Sequence, residues 1–416
     1  METLEQPEQQ HCHYHHNHLH CHQHHHQRHQ NNHHHHHLVI TPPLSLDGKV
    51  YHDSEKLKSP LARVLELIKG MRPGSDLTRF QLPVQLNLPK SQLQSYGETL
   101  YCYGQDLLAA CPQGTSPVER FLRVVAWHIS TCRLVPFGQV PFNPVLGETH
   151  HVSAGHLNVL LEQVCHHPPV MALYGTDDVN KLRICWWHTT TPRFYGNRVE
   201  GTISGKRTLW LDSHGEAYEL TSPKLLIRLF PIPGTEWVGT STIKCCSSSL
   251  EASLSFKGKH FFGLRGTSGT VLGKVWDTNT GAILYEIHGA WNKTVTVKNM
   301  KTEENSVLFD AKCVLTNLRA PILRTKKEDL DPSESLLVWR PVMSAIVGRE
   351  WDAARKAKYE IEERQRDLAK KWKSEGRVWK PRHFVEVDGE DHWQWCHVGE
   401  AVPVAPLVIP PIHIGS

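Results

Sequence analysis

Two adjacent imidazoles are the strongest chemical signal in the chain. They lie in Glu162–Pro169, EQVCHHPP, where His166 and His167 follow Cys165 and precede Pro168 and Pro169. Cysteine beside histidine raises zinc binding or a nucleophile with its base. Zinc would want further ligands at compatible spacing. The nearest pair, His150-His151, lies 15 residues earlier with no Asp or Glu grouping. A Cys-His nucleophilic pair needs side chains that face each other, and sequence neighbours do so poorly. Histidines packed without a role are a third reading. The fourth is an anion or lipid headgroup, to which ring N–H groups donate hydrogen bonds. Pro168 and Pro169 remove two backbone donors and fix two φ angles, so the segment is rigid and non-helical. Adjacent side chains of a strand point to opposite faces, so both rings meet one ligand only if the chain bends there.

A second set is Lys358, Glu362 and Arg366 in KYEIEERQR. Positions i, i+4 and i+8 share one helical face, because each step of four drifts only ~40°. The plainer reading is a solvated salt-bridge ladder worth ~0.2–0.5 kcal/mol per pair. The chain has no GxSxG or HExxH, which weakens a hydrolase reading of the His pair.

The elements that must position these residues follow from pattern. Residues 1–37 hold 16 of the 31 histidines and are predicted to be disordered for want of apolar side chains. Such tracts bind Zn²⁺ or Ni²⁺ without an evolved site, so a metal-binding scaffold is a rival function. Residues 38–75 read as a linker with a short amphipathic helix, Ser59–Met71, whose Leu61, Val64, Leu65 and Ile68 fall at helical spacing. The strap that follows carries Leu77, Leu82, Leu86 and Leu88. Pro83 and Pro89 forbid one regular helix through it. It is either a packed connector or a lid over an apolar cavity.

Residues 91–110 and Pro117–Ile129 read as helices. From about 138 to 320, short β-branched and aromatic runs alternate with turn residues, which predicts many antiparallel strands. Examples are Leu182–His188, Arg198–Ser204, Thr208–Leu211, Leu250–Phe256 and Val307–Leu315. Closure into a barrel is one way for so many strands to avoid exposed edges. Val342–Gly376 reads as one charged helix with Gly376 as its C-cap, and 396–416 as a flexible tail.

Composition bounds the function. The chain has 416 residues, 39% hydrophobic and 21% charged, with a net charge of +4. That fits a globular protein and gives no basic stripe for nucleic acid. No run reaches the ~18 apolar residues of a membrane helix, and no secretory signal is visible, which predicts a cytosolic protein with at most peripheral membrane contact. The 11 scattered cysteines, without CxxC, read as reduced thiols.

EQVCHHPP resembles the EQVSHHPP signature of the oxysterol-binding protein-related lipid transfer family, with Cys165 in place of serine. FNPVLGE (Phe142–Glu148) resembles its asparagine-proline motif. Leu82-Pro83 through Leu93 resembles its lid-proximal segment, and Lys358–Arg366 its C-terminal helix motif. The likeness spans roughly residues 40 to 395. TPPLSLDG and PGSDLTRFQLP look most like the short plant members that lack a pleckstrin homology domain.

The resemblance implies a mainly β fold with flanking helices: a large, near-complete antiparallel β-barrel around an apolar lipid tunnel. An N-terminal lid (about 76–100) and a C-terminal helical part (about 341–376) complete a domain over 76–395. The implied function is non-enzymatic and needs no cofactor: extraction of one sterol or phospholipid such as phosphatidylserine, exchanged for phosphatidylinositol 4-phosphate, during transient contact with membranes. A lipid sensor or regulatory scaffold is the alternative. By resemblance His166 and His167 contact the phosphate, Asn143 bonds the headgroup, and Lys358, Glu362 and Arg366 complete the cup. Leu82, Pro83, Leu86 and Leu88 belong to the lid and tunnel. Many members carry a lysine three positions before the motif asparagine; here that position is Val140.

Overall fold

The computed structural model describes residues 38–44, 60–78, 80–258, 269–387 and 392–411. The His-rich stretch 1–37, residues 45–59 of the expected linker and the last five residues lie outside the described residues.

The chain opens with helix α1 (Pro60–Ile68), strand β1 (Asn87–Ser91) and helices α2 (Gln92–Tyr101), α3 (Leu107–Ala110) and α4 (Pro117–Ser130). Strands then follow one another: β2 (Val140–Phe142), β3 (Thr149–Ala154), β4 (Leu157–His166), β5 (Pro169–Asp177), β6 (Leu182–Phe194) and β7 (Arg198–Leu211). After these come β8 (Glu216–Leu220), β9 (Lys224–Arg228), β10 (Gly234–Cys245), β11 (Leu250–Lys257) and β12 (Thr270–Asp277). The series ends with β13 (Ile283–Ala290), β14 (Thr294–Asn299) and β15 (Asn305–Asp310). The C-terminal part holds α5 (Ala311–Leu315), β16 (Ile322–Leu323), α6 (Ser335–Val338), α7 (Arg340–Val347), α8 (Trp351–Ser374), β17 (Phe384–Val387), β18 (His392–Trp395) and β19 (Leu407–Ile409).

Fifteen strands form one sheet in the order β15-β14-β13-β12-β11-β10-β8-β7-β6-β5-β4-β3-β19-β16, with β9 also between β10 and β7. The long β7 and β10 hold β9 at one end and β8 at the other. Short turns make sequence neighbours spatial neighbours, as antiparallel pairing allows. The β11 burial pattern shows the physical basis. Leu250, Ala252, Leu254 and Phe256 are buried while the residues between them are not, the period-2 alternation of a sheet with one face in the core. Helix α4 packs on β11 and β15 and joins their inward side chains in one cluster. Its entry is set by Ser116, whose hydroxyl accepts from Glu119 N at 3.2 Å, with Pro117 in the first turn.

Several elements depart from the expectation. Arg198–Ser204 and Thr208–Leu211 merge into β7. Gly205, at φ +136°, lets the strand run through, because a Cβ there would strike the Trp187 carbonyl oxygen. Val307–Leu315 splits into β15 and α5, where the Asp310 carboxylate caps Lys312 N at 2.9 Å. The single charged helix is two, because Gly348 and Arg349 (φ +59°) break it between α7 and α8. Residues 396–416 are not a free tail over their described part. Strand β19 enters the sheet parallel to β3 and buries Leu407 completely. Nor is Leu38–Leu44 a loose linker: Lys90 Nζ donates to Pro42 O at 2.9 Å and Leu44 N to Glu98 Oε2 at 3.3 Å.

Candidate functional site

EQVCHHPP forms the tip of the β4–β5 hairpin, with His166 facing Pro169 across a turn of His167 and Pro168. Register slips between Gln163 and Cys165, so strict alternation fails just before the histidines. Their rings consequently meet, with centroids 4.5 Å apart and planes at 52°. His166 is half-buried and His167 exposed. Burial lowers the His166 pKa, and His167 beside it lowers it further. The Pro144 carbonyl and the Glu362 carboxylate act the other way. His166 is therefore a neutral ring at physiological pH, with one N–H to give.

Asn143 is exposed immediately after β2, which pairs parallel with β1. Backbone bonds bring its loop beside the histidine strand. Gly147 N donates to Gln163 O at 3.0 Å, and Gln163 N to Glu148 O at 2.9 Å. Gly147 has φ +78°, and a Cβ there would lie 2.6 Å from the Trp379 ring, so this approach needs glycine. The loop hangs on Glu148. Its buried carboxylate accepts from Ser91 Oγ at 2.5 Å, Ser335 Oγ at 2.6 Å, Trp339 Nε1 at 2.8 Å and Val145 N at 3.0 Å. Burial raises its pKa, while these donors oppose the rise. Glu148→Ala strands four donors at once and should destabilise the fold by about 3 kcal/mol or more, read from a urea midpoint.

Glu162, the first residue of the motif, anchors rather than binds. Its buried carboxylate accepts from Arg382 N and His383 N at 2.9 Å each. Cys165 is half-buried at the hairpin. Among the described residues no group of three or more His, Cys, Asp and Glu could hold a metal ion.

Helix α8 supplies the remaining expected residues. Lys358 Nζ donates to Glu362 Oε1 at 2.7 Å and to Leu82 O at 3.2 Å. Glu362 is the carboxylate whose field reaches His166, so the structure brings Lys358, Glu362 and the histidine hairpin into one neighbourhood. Arg366 turns aside. Its guanidinium donates to Glu363 Oε2 at 2.6 and 3.0 Å and lies 5.7 Å from the Tyr359 ring.

The strap residues are placed as a strut. Pro83 precedes a 3-10 turn over Val84–Leu86, Leu86 and Leu88 are buried, and β1 runs beside β2. Helix α1, the chain after it and the strap's own Leu77 make a separate set of contacts. Val64, Ile68, Met71 and Leu77 pack on Phe194, Val199 and Leu229. Gly74 N donates to Phe194 O at 2.6 Å and Leu77 N to Pro192 O at 2.9 Å, which zips this segment to the end of β6. Sequence reasoning missed the Glu148 and Glu162 anchors, although both stand inside the motifs it singled out.

Inside the sheet, Tyr96, Leu161, Met171, Ala172, Leu173, Trp186 and His188 line a narrow gap with no room for even a water molecule. Drug-sized ligands occupy pockets of roughly 300–1,000 Å³, so a lipid enters only if interior side chains yield.

Comparison with known proteins agrees with this architecture. The oxysterol-binding protein family model matches residues 66–401. Oxysterol-binding protein-related proteins 4B and 4A of Arabidopsis thaliana are 45% and 44% identical over 377 residues, which cover 89% of this chain and 97% of each relative. The Osh1 ORD domain in complex with cholesterol superimposes with a TM-score of 0.68 at 23% identity, over 86% of this chain and 90% of that one. The Osh3 ORD in complex with PI(4)P from Saccharomyces cerevisiae does so with a TM-score of 0.62 at 22% identity, over 82% and 91%. A family model that matches most of the chain, and plant relatives matched over nearly their whole length, place this protein among lipid-binding proteins rather than enzymes: the chain belongs to the oxysterol-binding protein family.

Proposed function

We propose that this protein withdraws one sterol or phospholipid from a membrane into the sheet interior and carries it through the cytosol, with phosphatidylinositol 4-phosphate as an exchange cargo. The observation that carries the reading is the convergence of three separate segments at one hairpin. His166 and His167, the Asn143 loop and the Lys358–Glu362 pair come from β4–β5, the chain after β2 and helix α8. A phosphate set there would meet N–H donors and an ammonium group. It would also draw His166 toward its charged form, because a nearby anion favours the imidazolium. Solved relatives hold cholesterol and PI(4)P.

A dry interior suits the other end of the lipid, since each CH₂ left in water costs about 0.8 kcal/mol. Contact with a bilayer is supported by a loop tip beside α1, where Phe230 and Ile232 are 45% and 40% exposed. Among the described residues no helix is long and apolar enough to cross a membrane. Native mass spectrometry after incubation with vesicles of sterol, phosphatidylserine and phosphatidylinositol 4-phosphate tests the proposal. It should show one lipid per chain, and a protein that takes up none of them would refute it.

Val140 defines a finer expectation. It lies in β2, half-buried and paired with Asn87, three residues before Asn143. Val140→Lys should tighten phosphoinositide binding about tenfold by adding one charge-assisted bond, without a matching gain for sterol. Parallel vesicle-extraction titrations of the two lipids measure it.

A further inference from the structure

We infer that the interior of the sheet contains a second polar subsite, built on Arg207 and His188 with His128 behind them, that receives the carboxylate of a lipid entering carboxyl-first. The inference rests on the reading that the interior takes a lipid.

Arg207 lies on β7 and is 4% exposed. Its Nη1 donates to Thr131 Oγ1 at 2.9 Å, its Nε has no hydrogen-bond partner, and among the described residues no carboxylate pairs with it. The other deeply buried cations differ. Arg120 holds Glu216 at 2.6 Å, Arg228 holds Glu236 at 2.7 Å and Lys90 holds Glu98 at 2.5 Å. Arg133 also leaves its Nε without a partner, but it holds the carbonyl oxygens of Glu98 and Cys102 and sits in the field of the Glu98 carboxylate. Buried charges are ordinarily paired, so a guanidinium stacked on rings, with no carboxylate partner and a free N–H, has donor capacity left for an anionic acceptor. Those rings are Trp186 and Trp127, whose centroids lie 3.8 and 5.4 Å from the guanidinium carbon.

Neighbouring groups repeat the pattern. His188 is 3% exposed, its Nε2 has no partner, and it lines the interior gap. His128 is 1% exposed; Nε2 meets Ser241 Oγ at 2.7 Å while Nδ1 has no partner. The ring of Trp186, against Arg207, lies 5.0 Å from that of His188, so the gap and the guanidinium share a wall. Burial, and then Arg207, push both histidines down to about 3, so both stay neutral. The rest of the wall is Tyr96, whose ring lies 4.1 Å from that of His188, with Leu161, Met171, Ala172 and Leu173, which suit a hydrocarbon chain. An apolar wall ending in a guanidinium and an imidazole fits an amphiphile with a carboxylate, which arginine can grip with two parallel bonds. A hydroxyl on the same skeleton would satisfy it less well.

The full chain, stripped of co-purified lipid, should bind palmitate roughly ten- to a hundredfold more tightly than hexadecanol. A steroid carboxylate paired with its alcohol distinguishes a fatty acid from an acidic sterol as the source, and preference for either carboxylate supports the site. Arg207→Met should erase the preference; a preference that survives it overturns the assignment. If that variant fails to fold, the wild type decides. The carbonyl resonance of bound 1-¹³C palmitate should stay at its ionised position well below neutral pH, because the guanidinium favours the charged form. Protonation near neutrality, as expected for a carboxyl in a dry site, would overturn it. So would equal affinity for acid and alcohol in a protein that takes up sterol and phosphatidylinositol 4-phosphate, which marks only internal water on Arg207. A protein that binds no lipid of any kind refutes the transfer reading together with this one.

Discussion

Replacing His166 and His167 together with alanine should cut extraction of phosphatidylinositol 4-phosphate from vesicles by roughly a hundredfold or more, with sterol uptake within about twofold. The asymmetry follows from position. Both rings stand at the outer tip of β4–β5, His167 exposed and His166 half-buried, whereas the gap lined by Leu161 and Met171 lies deeper along the same two strands. A hydrogen bond to a charged group is worth ~1.5–3 kcal/mol, and two such bonds to one phosphate compound. The hairpin should survive the change, since its turn depends on Pro168 and Pro169 and its strands on Glu162 and Gln163. Equal loss of sterol and phosphoinositide uptake would show that the pair is structural. Loss of phosphoinositide alone would establish the headgroup contact. His166→Ala by itself should be the milder variant, because His167 and Lys358 remain.

Acid should unfold the protein through two histidines that never meet water. His128 on α4 and His188 on β6 are pushed down to about 3 from 6.5, chiefly by burial and secondarily by Arg207. The folded state therefore favours their neutral forms. Their contribution is fully present above 6.5, the unfolded value, and is lost as pH falls from there toward 3. Each pH unit in that window is worth about 1.4 kcal/mol per group, so the pair forfeits several kcal/mol before the surface carboxylates titrate. Glu148 and Glu162 do not add to this loss. Burial raises their pKa values, which favours the protonated form in the fold as acid is added. Urea midpoints collected from neutral pH down toward 4 should fall steadily. A flat profile across that range would mean that these two sites hydrate freely in the folded protein. His128→Asn should reduce the slope.

Strong local signals made the centre of the site legible in sequence. Two prolines beside two histidines forced a rigid bend, and the chain bends there. The four-residue spacing of Lys358 and Glu362 put them on one face, and they pair at 2.7 Å. Arg366 was harder, because Glu362 and Glu363 both lie within a turn of it and only packing decides which one it takes. The anchors were out of reach for a different reason. Glu148 meets Ser335 and Trp339, 187 and 191 residues away in sequence, and no periodicity reports such a partner. His150, whose Nδ1 lies 2.6 Å from Glu334 Oε1 and whose Nε2 lies 2.9 Å from Tyr101 OH, is hidden likewise. The antiparallel series was visible from its turns. Strand β19 was not, because three residues among prolines carry no alternation to read.

That last strand has a consequence for how the protein is made. Ala405 N donates to Ser153 Oγ at 2.8 Å across 252 residues of sequence, and β19 then lies along β3. On a ribosome, β3 and the hairpin it supports emerge long before their neighbour exists. Throughout that interval β3 presents an unpaired edge, the kind of surface on which stray strands add. The nascent chain is thus most vulnerable to mispairing in the second half of its synthesis, and a chaperone that shields strand edges would matter most there.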